Sequence, residues 1–130
     1  MSLQTSDKIA DLITRLRNAI AVGKSEIRLP NSKLVKAVAD ELVRVGYLEK
    51  VNVEAGKPRD TLHIIIGAPV QIHEIKRMST PGRRLYVGAN EIPRVQSGRG
   101  MAILSTNQGI LTGQAAKAKK LGGELLLTVY

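Results

Sequence analysis

The sequence predicts an α+β protein of two small lobes, the N-terminal one reading αβαββ and the C-terminal one mostly antiparallel β with one short helix. Three observations predict it. Apolar residues recur at helical spacing twice before residue 46, and strand patterns and turn residues take over after Gly67-Ala68-Pro69. The chain, 130 residues with 43% hydrophobic side chains, suits one compact unit or two small lobes sharing an interface. The expected boundary divides residues 1–66, an α/β lobe, from residues 67–130, a β-rich lobe.

Each element has its own warrant. Ile9, Leu12, Ile13, Leu16 and Ile20 make the stripe of a first helix, which Thr5 or Ser6 caps and Gly23 ends. Lys8, Arg15, Arg17 and Lys24 lie off that stripe, and Asp11 is placed to pair with Arg15 one turn on. Glu26 to Leu29 alternates as a short strand closed by Pro30. A second helix starts at Asn31 or Ser32, with a stripe of Leu34, Val38, Leu42 and Val45, and Gly46 stops it. Strands Leu48 to Glu54 and Thr61 to Ile66 flank the turn-forming run Ala55 to Asp60.

In the second lobe Val70 to Met78 is a candidate strand, Ser79-Thr80-Pro81-Gly82 a turn, and Arg83 to Val87 another strand. Asn90 to Pro93 suggests a short helical turn, and Gly98-Arg99-Gly100 a bend. Met101 to Thr106 is strongly strand-like; Asn107-Gln108-Gly109 turns the chain and Ile110-Leu111 returns. Thr112 caps a helix from Gly113 to Lys120, and Gly122-Gly123 launches a last strand, Glu124 to Tyr130.

Charge points to the kind of partner. Twenty Lys and Arg against eleven Asp and Glu give a formal net charge of +9. Such an excess repels itself unless a polyanion neutralises it. Residues 1–65 carry 11 basic and 8 acidic side chains, a net +3, whereas residues 66–130 carry 9 and 3, a net +6. The second lobe is therefore the stronger candidate for a nucleic-acid contact. Only Tyr47, Tyr86 and Tyr130 are aromatic, too few for a platform on which successive bases stack. An RNA partner would be read by shape, backbone and one or two exposed bases.

Enzyme chemistry finds no support. The chain has no cysteine, which removes disulfides, thiolate metal sites and thiol nucleophiles. His63 and His73 sit singly in strand patterns, without the three or four convergent ligands a zinc site needs. Gly98-x-Gly100 has Ile103 where a dinucleotide fingerprint needs glycine, and neither a phosphate-binding loop nor a nucleophile elbow is present. Asp40-Glu41, adjacent on a helix, do not face each other. No cofactor, metal or small-molecule substrate is expected. The N-terminus lacks the basic start and apolar run of a signal peptide. The stretch Leu62 to Val70 is less than half of the about 20 residues a membrane span needs. The expected place is the cytoplasm, and the expected free state a monomer.

Three constellations carry candidate contacts. Arg83-Arg84 follow Pro81-Gly82 and lead into Tyr86, so a tight turn would project two guanidinium groups suited to phosphate. Alternation puts Arg84 and Tyr86 on one strand face. From spacing alone this is equally a phosphate grip with a stacking ring or a solvated strand with a core tyrosine. Ser105-Thr106-Asn107-Gln108-Gly109 crowds short donors and acceptors at a strand end, shaped for base edges or sugar hydroxyls. An ordinary polar turn explains the same residues, and is favoured when nothing else is known. Lys117, Lys119 and Lys120 would complement a helix C-terminus, or hold RNA backbone; the first account is slightly preferred.

Taken together, these segments resemble the bacterial small-ribosomal-subunit protein eight family along essentially the whole chain. Asp7-x-Ile9-Ala10-Asp11-Leu12-Ile13-Thr14-Arg15-Leu16-Arg17-Asn18 is similar to the family's opening signature. Pro30-x-Ser32-Lys33-Leu34, Gly46-Tyr47-Leu48, Ser79-x-Pro81-Gly82-x-Arg84-x-Tyr86, Gly98-x-Gly100-x-Ala102-Ile103-Leu104-Ser105-Thr106 and Leu121-Gly122-Gly123-Glu124 follow in the family's order and intervals. The resemblance implies a two-domain structural protein of the small subunit that binds the central domain of small-subunit ribosomal RNA and aids assembly beside neighbouring ribosomal proteins. It implies that Ser105, Thr106 and Asn107 supply the central contacts, with Gly109 permitting close approach, Tyr86 packing on a base or sugar, and Glu124 bordering the site. Thr5, Arg15 and Lys33 are weaker carry-overs. Family members commonly read Ser-Thr-Ser-Lys-Gly at the hairpin; here Asn107-Gln108 give a larger amide and one cation fewer. Some members also bind their own messenger, which mimics the ribosomal site. The rival expectation is a nonspecific basic nucleic-acid-binding protein.

Overall fold

Helix α1 (Ser2–Ala21) opens the chain in a computed structural model that describes the backbone of residues 2–130 and the side chains of residues 8–130. The expected caps Thr5 and Ser6 lie outside the residues whose side chains are described. Ile9, Leu12, Ile13 and Leu16 are buried as their spacing requires, and Ile20 packs at the rim. The helix ends on left-handed Gly23 (φ +77°), where the Gly23 N–H donates to Ile20 O and the Lys24 N–H to Ala19 O. That double closure is the Schellman arrangement, and the left-handed residue within it favours glycine.

Strand β1 (Glu26–Pro30), helix α2 (Lys33–Arg44), and strands β2 (Lys50–Glu54) and β3 (Thr61–Ile65) complete the first half as a three-stranded antiparallel sheet in the order β1-β3-β2. Ser32 caps α2, its hydroxyl accepting from the Val35 N–H at 3.2 Å. The buried stripe of α2 is Val35, Val38, Ala39 and Leu42, so the expected Leu34 and Val45 sit half-buried at its margins. Gly46 (φ +95°) closes this helix as Gly23 closes the first, with the Tyr47 N–H on Leu42 O. Leu48 is also tied back to Leu42 O, and β2 therefore begins two residues later than expected.

The second half holds β4 (Ile75–Arg77), β5 (Tyr86–Val87), β6 (Met101–Thr106), β7 (Gly109–Thr112), α3 (Gly113–Ala118) and β8 (Gly123–Val129). Its antiparallel sheet runs β4-β8-β6-β7, with β5 also paired to β8. Two expected strands are much shorter than drawn, because they share one edge of β8. Ile75 to Arg77 pairs with Val129 to Leu127, Tyr86-Val87 pairs with Glu124-Gly123, and the chain between loops outward. Before β4, the His73 and Glu74 N–H groups both donate to Tyr130 O. No helix forms at Asn90 to Pro93; a helical turn comes instead at Val95–Gly98, with Gln96 (φ 46°) and Ser97 (φ 54°) left-handed. Helix α3 stops at Ala118, short of the expected Lys120, because Lys120 itself turns left-handed at φ 59°.

One apolar cluster fills both halves. Leu12, Leu16, Leu42 and Ile64 share it with Ile75, Ile103, Leu127 and Val129. A smaller cluster of Ala102, Leu104, Ala116 and Leu125 lies on the other face of the second sheet, beneath α3. Strand β6 is therefore covered on both faces, which explains its unbroken apolar run. The Arg17 Nε on α1 adds a hydrogen bond of 3.0 Å to Ile75 O. Among the described residues, no helix is long and apolar enough to cross a membrane.

Candidate nucleic-acid interface

Pairing in the second sheet lines up residues that are far apart in sequence. Tyr86 stands opposite Glu124, Glu124 opposite Ser105, and Ser105 opposite Ile110. Directly opposed residues share a sheet face, so Tyr86, Glu124 and Ser105 form one transverse row. The row lies where β8 begins and β6 ends, next to the hairpin tip. Gly122 and Gly123 allow this convergence. A side chain on Gly122 would run into Val87 O, and one on Gly123 into the Ser105 carbonyl. The sequence marked these glycines only as a strand start; their doublet was the available signal of close backbone approach.

Tyr86 is 69% exposed, so it is no core tyrosine, and its ring lies at the surface. The neighbouring arginines separate. Arg83 is exposed on a tight turn closed by reciprocal bonds with Thr80, at 3.0 and 3.1 Å, and makes no ion pair among the described residues. Arg84 departs from the expected pair of projecting guanidinium groups. Its Nη1 lies 2.9 Å from Glu124 Oε2, and the two side chains are only 15% and 12% exposed. Ser79 Oγ donates to the same carboxylate oxygen at 2.5 Å and accepts the Leu85 N–H at 3.2 Å. Ser79 is legible in the sequence only as part of its turn, since its partner is 45 residues on.

At the tip the polar side chains divide into two uses. Thr106 Oγ1 donates to Gly109 O at 2.8 Å and accepts the Gln108 N–H at 3.1 Å, so this hydroxyl builds the turn. Gly109 takes φ +105°, a left-handed value suited to glycine. Thr112 is buried and caps α3 through the Ala115 N–H. Asn107 is exposed and Ser105 half-buried, and neither side chain has a hydrogen-bond partner among the described residues. They are the tip's uncommitted polar groups.

The weaker carry-overs are not part of this row. Arg15 pairs with Asp11 at 3.0 Å and donates to Arg28 O on β1 at 2.7 Å; Lys33 is exposed in the first turn of α2. Thr5 is outside the described side chains. The histidines lie elsewhere: His63 Nε2 is 3.3 Å from Glu26 Oε2 on the first sheet, and the His73 ring is 6.3 Å from that of Tyr130. The adjacent His63 imidazole, and then Arg28, which donates to Glu26 Oε1 at 3.1 Å, hold the Glu26 carboxyl below its ordinary value. Among the described residues no group of three His, Cys, Asp or Glu is placed to hold a metal. The row thus offers an exposed ring, a held carboxylate, a hydroxyl and an amide, with a free arginine nearby.

Comparison with known proteins agrees along the chain. The family described as Ribosomal protein S8 matches residues 7–130. The small ribosomal subunit protein uS8 of Desulfovibrio desulfuricans is 47% identical across 96% of this chain and 98% of its own length. That of Acidithiobacillus ferrooxidans is 44% identical across 98% and 99%. That of Saccharophagus degradans is 46% identical across the whole of both chains.

Proposed function

The chain belongs to the ribosomal protein S8 family, of structural ribosomal proteins rather than enzymes, and on that premise we propose that it binds the central domain of small-subunit ribosomal RNA and aids assembly of the subunit. The observation that carries the proposal is the transverse row Tyr86–Glu124–Ser105 beside the Asn107 tip. Its ring, acceptor and small polar groups match unpaired bases and sugar hydroxyls, which a merely basic surface would not distinguish. Ser105, Asn107 and Tyr86 make the selective contacts, Gly109 and Thr106 shape the turn that presents them, and Arg83 holds phosphate. Arg84 serves by restraining Glu124. Arg15 and Lys33, with Thr5, touch neighbouring RNA from the first half. Residues 67–130 act as the RNA-binding lobe and residues 1–66 as its brace. The protein works in the cytoplasm as part of the ribonucleoprotein that carries out translation, beside other small-subunit proteins. Free of RNA it is a monomer, and its own messenger is a second RNA partner.

Binding to a central-domain transcript, compared with random duplex DNA at moderate salt, tests this. Ser105→Ala is expected to cost about 1 kcal/mol on the transcript, and Arg83→Ala to flatten the salt slope by about 1 on any RNA. Equal affinity for both nucleic acids, with both variants losing only salt-dependent binding, would establish nonspecific packaging instead.

A further inference from the structure

We propose that Ser79 is a positioning residue for the nucleic-acid face, fixing the Glu124 carboxylate so that its uncommitted oxygen accepts a hydrogen bond from RNA. This rests on the reading that the Tyr86–Glu124–Ser105 row meets RNA. Ser79 and Thr112 are the two buried polar side chains among the described residues. Thr112 is accounted for by the helix it caps, whereas Ser79 caps none. Its hydroxyl instead joins the returning chain at Leu85 to β8 at Glu124, and its carbonyl accepts from Arg77 Nε at 3.2 Å.

The consequence falls on Glu124. Both donors, Ser79 Oγ and Arg84 Nη1, engage Oε2, and Oε1 has no hydrogen-bond partner among the described residues. A hydroxyl bonded to a carboxylate at 2.5 Å is at the short, strong end of such bonds. The carboxylate is thereby held in one orientation, and the adjacent guanidinium offsets its charge in a lobe that otherwise attracts phosphate. An anionic oxygen cannot accept from a phosphate diester, which has no donor. It fits an exocyclic base amino group or a ribose 2′-hydroxyl. Without the serine hydroxyl, the carboxylate would swing on its remaining bond to Arg84 and lose that aim.

The test is a double-mutant cycle on the full chain, with a central-domain ribosomal RNA transcript and a random-sequence duplex RNA of equal length as probes. Circular dichroism melts establish that each variant is folded at the assay temperature. Ser79→Ala is expected to weaken transcript binding about tenfold and to leave duplex binding within about twofold. Ser79→Cys, somewhat larger and a weaker donor, is expected to behave similarly, and serves alone if the alanine variant does not fold. In a Glu124→Ala background either change at residue 79 is expected to add no more than about twofold. A full tenfold loss persisting in that background would overturn the proposal, because Ser79 would then act through packing. Loss on Glu124→Ala with none on the Ser79 variants would overturn the positioning role alone. Unchanged transcript binding by Glu124→Ala would overturn this inference, whereas the RNA-facing row itself falls only if Ser105→Ala and Tyr86→Ala also leave transcript binding unchanged.

Discussion

Replacing Gly123 with alanine tests how closely the strands around the row are fitted. A methyl group there would collide with Ser105 O and lie 3.0 Å from Ser105 C and 3.2 Å from Thr106 Cα, all backbone of β6. Carbon atoms prefer separations of about 3.5–4.0 Å, so the end of β6 would have to move by roughly 1 Å. Overpacking of this kind costs about 1–3 kcal/mol, and obstacles that are backbone rather than side-chain ends put Gly123→Ala near the top of that range. The smaller unfolded-state entropy of alanine returns about 0.4–1 kcal/mol, leaving a net loss of about 2 kcal/mol. At about 4 °C per kcal/mol for a chain of this size, Tm falls by roughly 8 °C. Gly82→Ala is the matched control. It has open space around the added methyl and no left-handed φ, and should be neutral or stabilising by up to about 1 kcal/mol. Urea and thermal unfolding followed by circular dichroism read both. A Gly123→Ala midpoint equal to that of Gly82→Ala would show that the row tolerates a wider strand spacing, contrary to the reasoning.

Three further outcomes are expected. Lys120 holds the left-handed position that Gly23 and Gly46 hold at the other helix ends, so Lys120→Gly should raise stability by about 1 kcal/mol in urea unfolding. Leu42→Ala empties a fully buried position in the shared cluster and should cost about 2–5 kcal/mol by the same measurement. Glu26, lowered below the ordinary carboxylate value of 4.5 by His63 and Arg28, contributes stability that is complete above that value and lost as pH falls through its lower folded one. Glu26→Gln should therefore make the acid limb of a Tm-against-pH profile shallower, and an unchanged limb would refute the assignment.

Local signals make much of the fold legible in the sequence. The first helix stripe, the Gly23 and Gly46 stops, the second helix start at Asn31 or Ser32, the Thr112 cap and strand β6 each depend on residues within a few positions of one another. The misplaced elements depend on competition at a distance. Nothing in Val70 to Met78 shows that β5 takes the other portion of the β8 edge, and nothing in α2 shows that Val35 rather than Leu34 faces the core. The candidate site divides in the same way. Composition drew attention to the tip, but the turn-building role of Thr106 needed geometry. Arg84 looked like an outward twin of Arg83 because its partner Glu124 lies 40 residues away.

The apolar cluster common to both sheets means that a cut at residues 67–69 would divide an interior rather than a tether. Each piece made alone would bare a raw hydrophobic wall, and the two should regain their shape only on meeting. The orientation of the tip is then inherited from the opening helix: Arg17 and Leu16 grip the sheet on which that tip stands. Aim, in this molecule, is a property of the whole chain.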